Sequence, residues 1–158
     1  IKIVKMPSEF IERQQNDFFR DLTSFGSLWF YLIVMFIFLI IKNYDISINL
    51  LLGLVLIYAI VIFIRTFYFK NRPNKYSYNS YIEKLDASSF PSLHSARITF
   101  LSMVLADYFK ELVFSIFLII LVIIVVYSRI YLKKHDFGDA LGGIILGILI
   151  YFVAVSIL

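Results

Sequence analysis

The sequence contains no cysteine, which excludes disulfides and thiolate zinc sites and leaves the redox compartment unread. It has two histidines and no run of carboxylates at a spacing that would hold Mg²⁺ or a zinc pair. No segment alternates apolar and polar residues as a membrane β-barrel strand does, and there is no internal repeat, heptad run or low-complexity tract. No signal-peptide pattern precedes the first long apolar run. The chain opens on Ile1 rather than methionine, so its native start is expected to lie elsewhere. Charge is also scarce. Only 16% of residues are Asp, Glu, Lys or Arg, and the net charge of +4 points to phosphate groups or lipid surfaces and not to nucleic acid. What fills the chain instead is hydrocarbon: 61% of its 158 residues are apolar and the mean hydropathy is +0.86. A soluble domain is about 45–50% apolar, so this chain is too greasy to dissolve throughout. Its length suits one domain.

Residues 1–24 are mixed. After Ser8, a candidate N-cap followed by Glu9 and Glu12, the apolar residues Ile11, Phe18, Leu22 and Phe25 fall on one helical face. Arg13, Asp17, Arg20 and Asp21 fall on the other. This predicts an interfacial amphipathic helix over 1–24, against the alternative of a soluble helix packed on the rest of the domain. Five apolar runs follow, at 25–41, 46–64, 91–109, 112–127 and 140–158. Each approaches the roughly 20 residues that cross a bilayer core as a helix. The expectation is an all-α membrane protein: a bundle of five transmembrane helices over 25–158, with a cap loop at 65–90. Tyr76, Tyr78 and Tyr81 in that loop suit the headgroup level. Counting spans puts the N-terminus, the 65–90 loop and the 128–139 loop on one side, which is where an active site is expected. Gly138, Gly142, Gly143 and Gly147, at and just before the last run, suit close helix packing inside the bundle better than a homodimer seam, so a monomer is favoured.

Charge interrupts the runs at three places. In RTFYFKNRP, Arg65 and Arg72 are seven residues apart, which predicts both guanidiniums on one helix face with Pro73 ending the helix. Taken alone, two such arginines read equally well as side chains snorkelling to an interface. In SSFPSLHSAR, Ser88 or Ser89 can cap and Pro91 suits the first turn. Ser92, Leu93 and His94 would then offer backbone N–H groups, a natural phosphate seat. His94 alone would be a structural histidine; beside a hydroxyl and an anion-binding helix start it is a catalytic candidate. Arg97, on the His94 face, would contact a second phosphate or headgroup, or pair with an acid inside the bundle. In SRIYLKKHDFGDA, His135 and Asp139 are four apart and expected on one helix face. A carboxylate there holds one imidazole nitrogen and raises the nucleophilicity of the other. Arg129 closes the fourth run. Lys133 and Lys134 read as solvated or headgroup-facing, and Asp136 as solvent-exposed. Arginine forks, two histidines, a serine at a helix start and one orienting aspartate make a phosphoryl-transfer site that needs no metal.

Together the clusters resemble the three-part signature of the type-2 phosphatidic acid phosphatase family, over roughly residues 46–158. The family's Lys, six residues, Arg-Pro stands here as Arg65, six residues, Arg72-Pro73. Its Pro-Ser-Gly-His stands as Pro91-Ser92-Leu93-His94. Its Ser-Arg, five residues, His, three residues, Asp stands unaltered as Ser128-Arg129, His135 and Asp139. Arg65 for Lys keeps the charge with a larger planar head, and Leu93 for Gly crowds the seat. The resemblance implies an integral membrane lipid phosphatase without metal or cofactor. His135 would be the nucleophile, oriented by Asp139, and His94 the acid and then the base. Arg65, Arg72, Ser92 and Arg129, with the N–H groups of Leu93 and His94, would bind the phosphoryl oxygens. It also implies a phosphorylated membrane lipid as substrate: phosphatidylglycerophosphate, phosphatidic acid, a polyprenyl diphosphate or the 1-phosphate of lipid A.

Two rivals use the same residues. A lipid phosphotransferase would pass the phosphoryl group to an acceptor alcohol. A non-catalytic lipid or anion transporter would need the arginines but not the His135–Asp139 pair. Orientation is drawn two ways. The active side holds most of the Lys and Arg, which the positive-inside rule makes cytoplasmic, while many bacterial members of the resembled family work on the outer face. The expectation is a multi-pass cell-membrane protein with its site on the extracytoplasmic face.

Overall fold

Most helices of this chain start at a side chain that satisfies their first free N–H groups. Ser27 accepts from Phe30 N–H at 3.1 Å, Asn43 from Ile46 N–H at 3.3 Å, Ser80 from Glu83 N–H at 3.2 Å and Ser92 from Ser95 N–H at 3.4 Å. The structure, a computed structural model, describes residues 6–74 and 77–157. The helices are α1 (Met6–Thr23), α2 (Leu28–Ile40), α3 (Tyr44–Phe67), α4 (Tyr81–Ala87), α5 (Leu93–Phe109), α6 (Leu112–Tyr131) and α7 (Phe137–Ile157), with a 3₁₀ turn at Ser24–Gly26. Among the described residues the only β pairing is one isolated bridge, Asn71 with Ser88. The short connections after α2 and α5 turn through lysines in the left-handed region, Lys42 (φ 62°) and Lys110 (φ 53°). There they take the C-terminal conformation that glycine more often supplies, with a charge that suits the helix end.

Each of the five apolar runs forms a helix. Three of them (α3, α6 and α7) are long and apolar enough to cross a membrane, and α1 with α2 makes a fourth if the pair, bent by 43° at the 3₁₀ turn, is one span. Their outward residues, such as Trp29, Phe63, Val113, Phe117, Ile123 and Phe152, stay exposed as large hydrophobic side chains. In water that would be untenable; against lipid tails it is the ordinary state.

α5 sits at the centre, with every residue from Ser95 to Ser102 buried. Its closest neighbour is α7, and the glycine stripe is the reason. A Cβ on Gly147 would lie 2.7 Å from the Ala96 carbonyl oxygen and 2.9 Å from Thr99 Cβ, and one on Gly143 would lie 2.7 Å from Ser95 Cβ. The backbones approach because nothing stands between them. Gly142 makes room for the Phe90 ring, and Gly138 faces no other helix. Below the site the core is filled by Tyr31, Leu50, Ile57, Val61, Phe100 and Ile150. The Tyr31 hydroxyl donates to the Leu50 carbonyl at 2.6 Å, so its polar end is satisfied in the apolar interior.

α1 packs along α6. Phe19 meets the Tyr127 and Tyr131 rings at 5.6 and 4.1 Å, and Tyr131 donates to Gln15 at 3.2 Å. Ile11 and Phe18, from the apolar face read in the sequence, remain exposed. Ser8, read as a start of the helix, falls within α1, and residues 1–5 lie outside the described residues. In the cap loop Tyr78 and Tyr81 are exposed, while Tyr76 lies outside the described residues.

Candidate active site

The first cluster departs from the helical reading. α3 ends at Phe67, and Tyr68 is extended (φ −130°, ψ 96°), so Arg65 and Arg72 do not share a helix face and Pro73 ends nothing. The chain leaves the helix through an aromatic run, Phe67-Tyr68-Phe69, which favours extended backbone, and its polar groups then pair across the loop. Lys70 C=O accepts from Ser89 N–H at 2.8 Å and from the Ser89 hydroxyl at 3.2 Å, beside the Asn71–Ser88 bridge. Arg65, buried, donates to three carbonyls: Leu85 at 2.9 Å, Phe90 at 3.3 Å and Pro91 at 2.9 Å. Arg72 donates to the Asp86 carbonyl and lies 3.8 Å from the Asp86 carboxylate.

The second cluster forms the start of α5, but the cap is Ser92 and not Ser88 or Ser89, and Pro91 lies ahead of the first turn. The Ser92 N–H donates to the Asp139 carbonyl at 3.0 Å, tying the second cluster to the third. Arg97 finds no acid. Its Nε and Nη2 donate to the Gly26 carbonyl at 3.1 and 2.9 Å, and its Nη1 to the Tyr58 hydroxyl at 2.7 Å. Of the two roles the sequence leaves open for Arg97, pairing with an acid is replaced by a carbonyl brought in at the 3₁₀ turn, where Gly26 packs against His94.

In the third cluster, His135 precedes α7 and is not on its face. Its N–H donates to the Arg129 carbonyl at 3.2 Å, at the end of a turn that passes through Lys133 in the left-handed region (φ 53°). Asp136 and Asp139 close the start of α7 reciprocally: Asp139 N–H donates to Asp136 Oδ1 at 2.9 Å, and Asp136 N–H to Asp139 Oδ2 at 3.0 Å. This is a capping box built from two aspartates. Asp136, expected in solvent, is half exposed and also serves as a cap, and its carboxylate meets Lys70 Nζ at 2.6 Å. Lys70 also reaches Asp139 Oδ1 at 2.7 Å. Nδ1 of His135 lies 3.7 Å from Asp139 Oδ2, in reach as an ion pair but longer than a hydrogen bond.

These ends enclose a cavity of about 290 Å³. It is lined by Arg65, Arg72, Arg97 and Arg129, by His94 and His135, and by Tyr58, Leu93 and one acid, Asp86. Of the residues named from sequence, Ser92 and Asp139 stand behind the wall: Ser92 caps α5, and Asp139 backs His135. Arg129 donates to Thr23 at the end of α1 at 3.2 Å. Burial holds the His135 imidazole below its ordinary pKa, the guanidiniums of Arg129 and Arg72 lower it further, and Asp139 pulls the other way. The site thus favours a neutral imidazole in a strongly positive cavity, one that could receive a phosphoryl group and attack it. Among the described residues, no three His, Asp or Glu side chains come together to hold a metal ion. Sequence reasoning missed Tyr58, Asp86 and Lys70. Only Lys70 left a trace, as the one charged residue in TFYFKN between Arg65 and Arg72.

A sequence model described as the PAP2 superfamily matches residues 46–158, most of the chain and all three clusters. The chain belongs to the PAP2 superfamily. No curated protein sequence matches it. Two solved structures share the fold of this PAP2 chain. One is LpxE of Aquifex aeolicus, with a TM-score of 0.73 and 21% identity, covering 90% of this chain and 86% of that one. The other is described as the first transmembrane PAP2 type phosphatidylglycerolphosphate phosphatase from Bacillus subtilis, with a TM-score of 0.73 and 22% identity, covering 98% and 78%. The chain therefore has the fold of a PAP2-type membrane phosphatase.

Proposed function

We propose that this protein is an integral membrane lipid phosphatase that hydrolyses a phosphomonoester or diphosphate of a membrane lipid through a phosphohistidine, without a metal. The observation that carries the reading is the single cavity in which both histidines meet four arginines, with a carboxylate behind one histidine. With Nδ1 toward Asp139, Nε2 of His135 is the nitrogen free to attack phosphorus. The bond from phosphorus to the lipid oxygen breaks as the P–N bond forms, and His94 gives that oxygen its proton. His94 then takes a proton from water, which attacks phosphorus; the P–N bond breaks, phosphate leaves and His135 is neutral again. Arg72, Arg129 and the remaining N–H groups of Arg65, with the backbone at Leu93 and His94, spread the charge of the transferring group. Ser92 contributes by capping the helix that presents His94.

The cavity is at the small end of the roughly 300–1,000 Å³ typical of ligand sites. It suits a phosphate and the nearest part of a headgroup, with the tails left along the exposed apolar helices. In this reading α2, α3, α5, α6 and α7 make five crossings. α1 lies at the interface with Phe10, Ile11 and Phe18 toward lipid, the described residues of the 65–90 loop form the cap, and the site opens on the extracytoplasmic face. Phosphatidylglycerophosphate, phosphatidic acid, polyprenyl diphosphate and lipid A 1-phosphate form the panel to test. The purified protein should release phosphate from at least one of them in excess EDTA. Release abolished by EDTA and restored by Mg²⁺ or Zn²⁺, or no release across the panel, would contradict the reading.

A further inference from the structure

The link between the three clusters runs through Lys70, which fills one of the six unspecified positions of the first motif. Lys70 lies in the extended segment after α3. Its backbone holds the approach to α5: its N–H meets the Ser88 hydroxyl at 3.4 Å, and its carbonyl accepts from Ser89 N–H and hydroxyl. Its side chain crosses to the start of α7 and meets Asp136 at 2.6 Å and Asp139 at 2.7 Å. One residue thus ties the strand-like segment to the start of α5 with its main chain and to the start of α7 with its ammonium.

We propose that Lys70 is a positioning residue for the reaction: bound to Asp136 and Asp139 at once, it fixes the Asp139 carboxylate behind His135 and sets the charge that His135 faces. The inference rests on the role proposed for His135. Asp139 is fully buried, and a buried carboxylate needs both a counter-charge and filled acceptor positions. Its Oδ1 has Lys70; its Oδ2 has the Asp136 N–H and, at 3.7 Å, His135. His135 does not reach hydrogen-bond distance, so Lys70 is the cation in closest contact with this acid. Burial works against the Lys70 charge, but the bonds to Asp136 and Asp139 outweigh it and hold the ammonium above its ordinary pKa.

The consequence is electrostatic. The charged and titratable groups around His135 are Asp139 behind it, Asp136 and Lys70 beyond, Arg129 on α6, Arg72 on the cap segment, Arg65 at the end of α3, His94 and Arg97 on α5, and Asp86 in α4. Asp139 is the acid that favours imidazolium, and Lys70 offsets it. Removing the ammonium takes away that carboxylate's contact cation, leaves only the more distant guanidiniums, and makes His135 easier to protonate. The nucleophile is the neutral imidazole, so activity should fail at higher pH on the acid side.

The test needs no turnover. The chain has two histidines, so ¹³C-histidine NMR in micelles can follow His135 through a pH titration, with its resonance assigned by loss in His135→Gln. Lys70→Met should raise the His135 midpoint by on the order of one pH unit, the scale on which a neighbouring charge acts. Lys70→Arg, which keeps the charge, should titrate close to the wild type. The acid limb of kcat/KM should move up in Lys70→Met in parallel. If Lys70→Met loses its helical circular dichroism, Lys70→Gln takes its place. An unchanged or lowered midpoint in the neutral variant, or the same rise in Lys70→Arg, would overturn the proposal. Because the midpoint is read from the imidazole itself, this failure is separate from an absence of phosphatase activity.

Discussion

Arg65 stands where the resembled signature has lysine, and its contacts show what the exchange accomplishes. Three of its N–H groups hold Leu85, Phe90 and Pro91 carbonyls, pinning the end of α4 and the chain just ahead of α5. A planar fork can do this; a lysine presents one point of charge and cannot span three acceptors in the same way. Restoring the family residue should therefore do harm. Arg65→Lys should lose about 2–4 kcal/mol, from one or two charge-assisted hydrogen bonds and the buried carbonyls left behind. Thermal unfolding in detergent with an activity assay checks this. A variant as stable and as active as the wild type would contradict it. At this scale much of the site was legible in the sequence. His94, His135, Arg65, Arg72, Arg97 and Arg129, all named from the three charged clusters, line one cavity, though not through the helix faces that their spacing predicts. Their partners were not legible. Arg97 meets Gly26 across 71 positions, and Lys70 meets Asp139 across 69; no local pattern records a contact made only when helices pack.

The same limit applies to the elements. All five apolar runs became helices, because hydrocarbon of that length has few other ways to satisfy its backbone. The boundaries near the site moved. α3 stops before Lys70, where the Asn71–Ser88 bridge and the Ser89 bonds take over the backbone, and hydropathy does not register such pairing. α7 begins after His135, since Asp136 and Asp139 cap it reciprocally. That capping box is written in the sequence as Asp-x-x-Asp, overlapping the four-residue spacing of His135 and Asp139. α4 lies within the expected cap loop and carries a similar signal, with Ser80 accepting from Glu83 N–H and Glu83 accepting from Asn79 N–H at 2.7 Å. The glycine stripe was read correctly as a packing device of the bundle at Gly143 and Gly147, where α5 closes on α7.

For the whole molecule, the arrangement places a basic cavity at one end of an apolar bundle, with the cap segment and the α1–α2 turn around it. In the function proposed, a lipid held there would keep its phosphate among the arginines and its tails beside the exposed apolar side chains. The proposed orientation is open to direct measurement, because the chain lacks cysteine. Asn79 is exposed in the cap loop. Asn79→Cys should react in intact cells with a thiol reagent that does not cross membranes; labelling only after permeabilisation would place the site on the cytoplasmic side. The central claim is that His135 carries the phosphoryl group and His94 serves it with protons. Trapping the phosphoenzyme by rapid denaturation tests this most directly. With an activated aryl phosphate, whose leaving group needs little protonation, His94→Ala should accumulate the intermediate because its hydrolysis lacks a base. His135→Ala should trap none with any substrate. A His135→Ala protein that still forms a covalent phosphoenzyme would contradict the account.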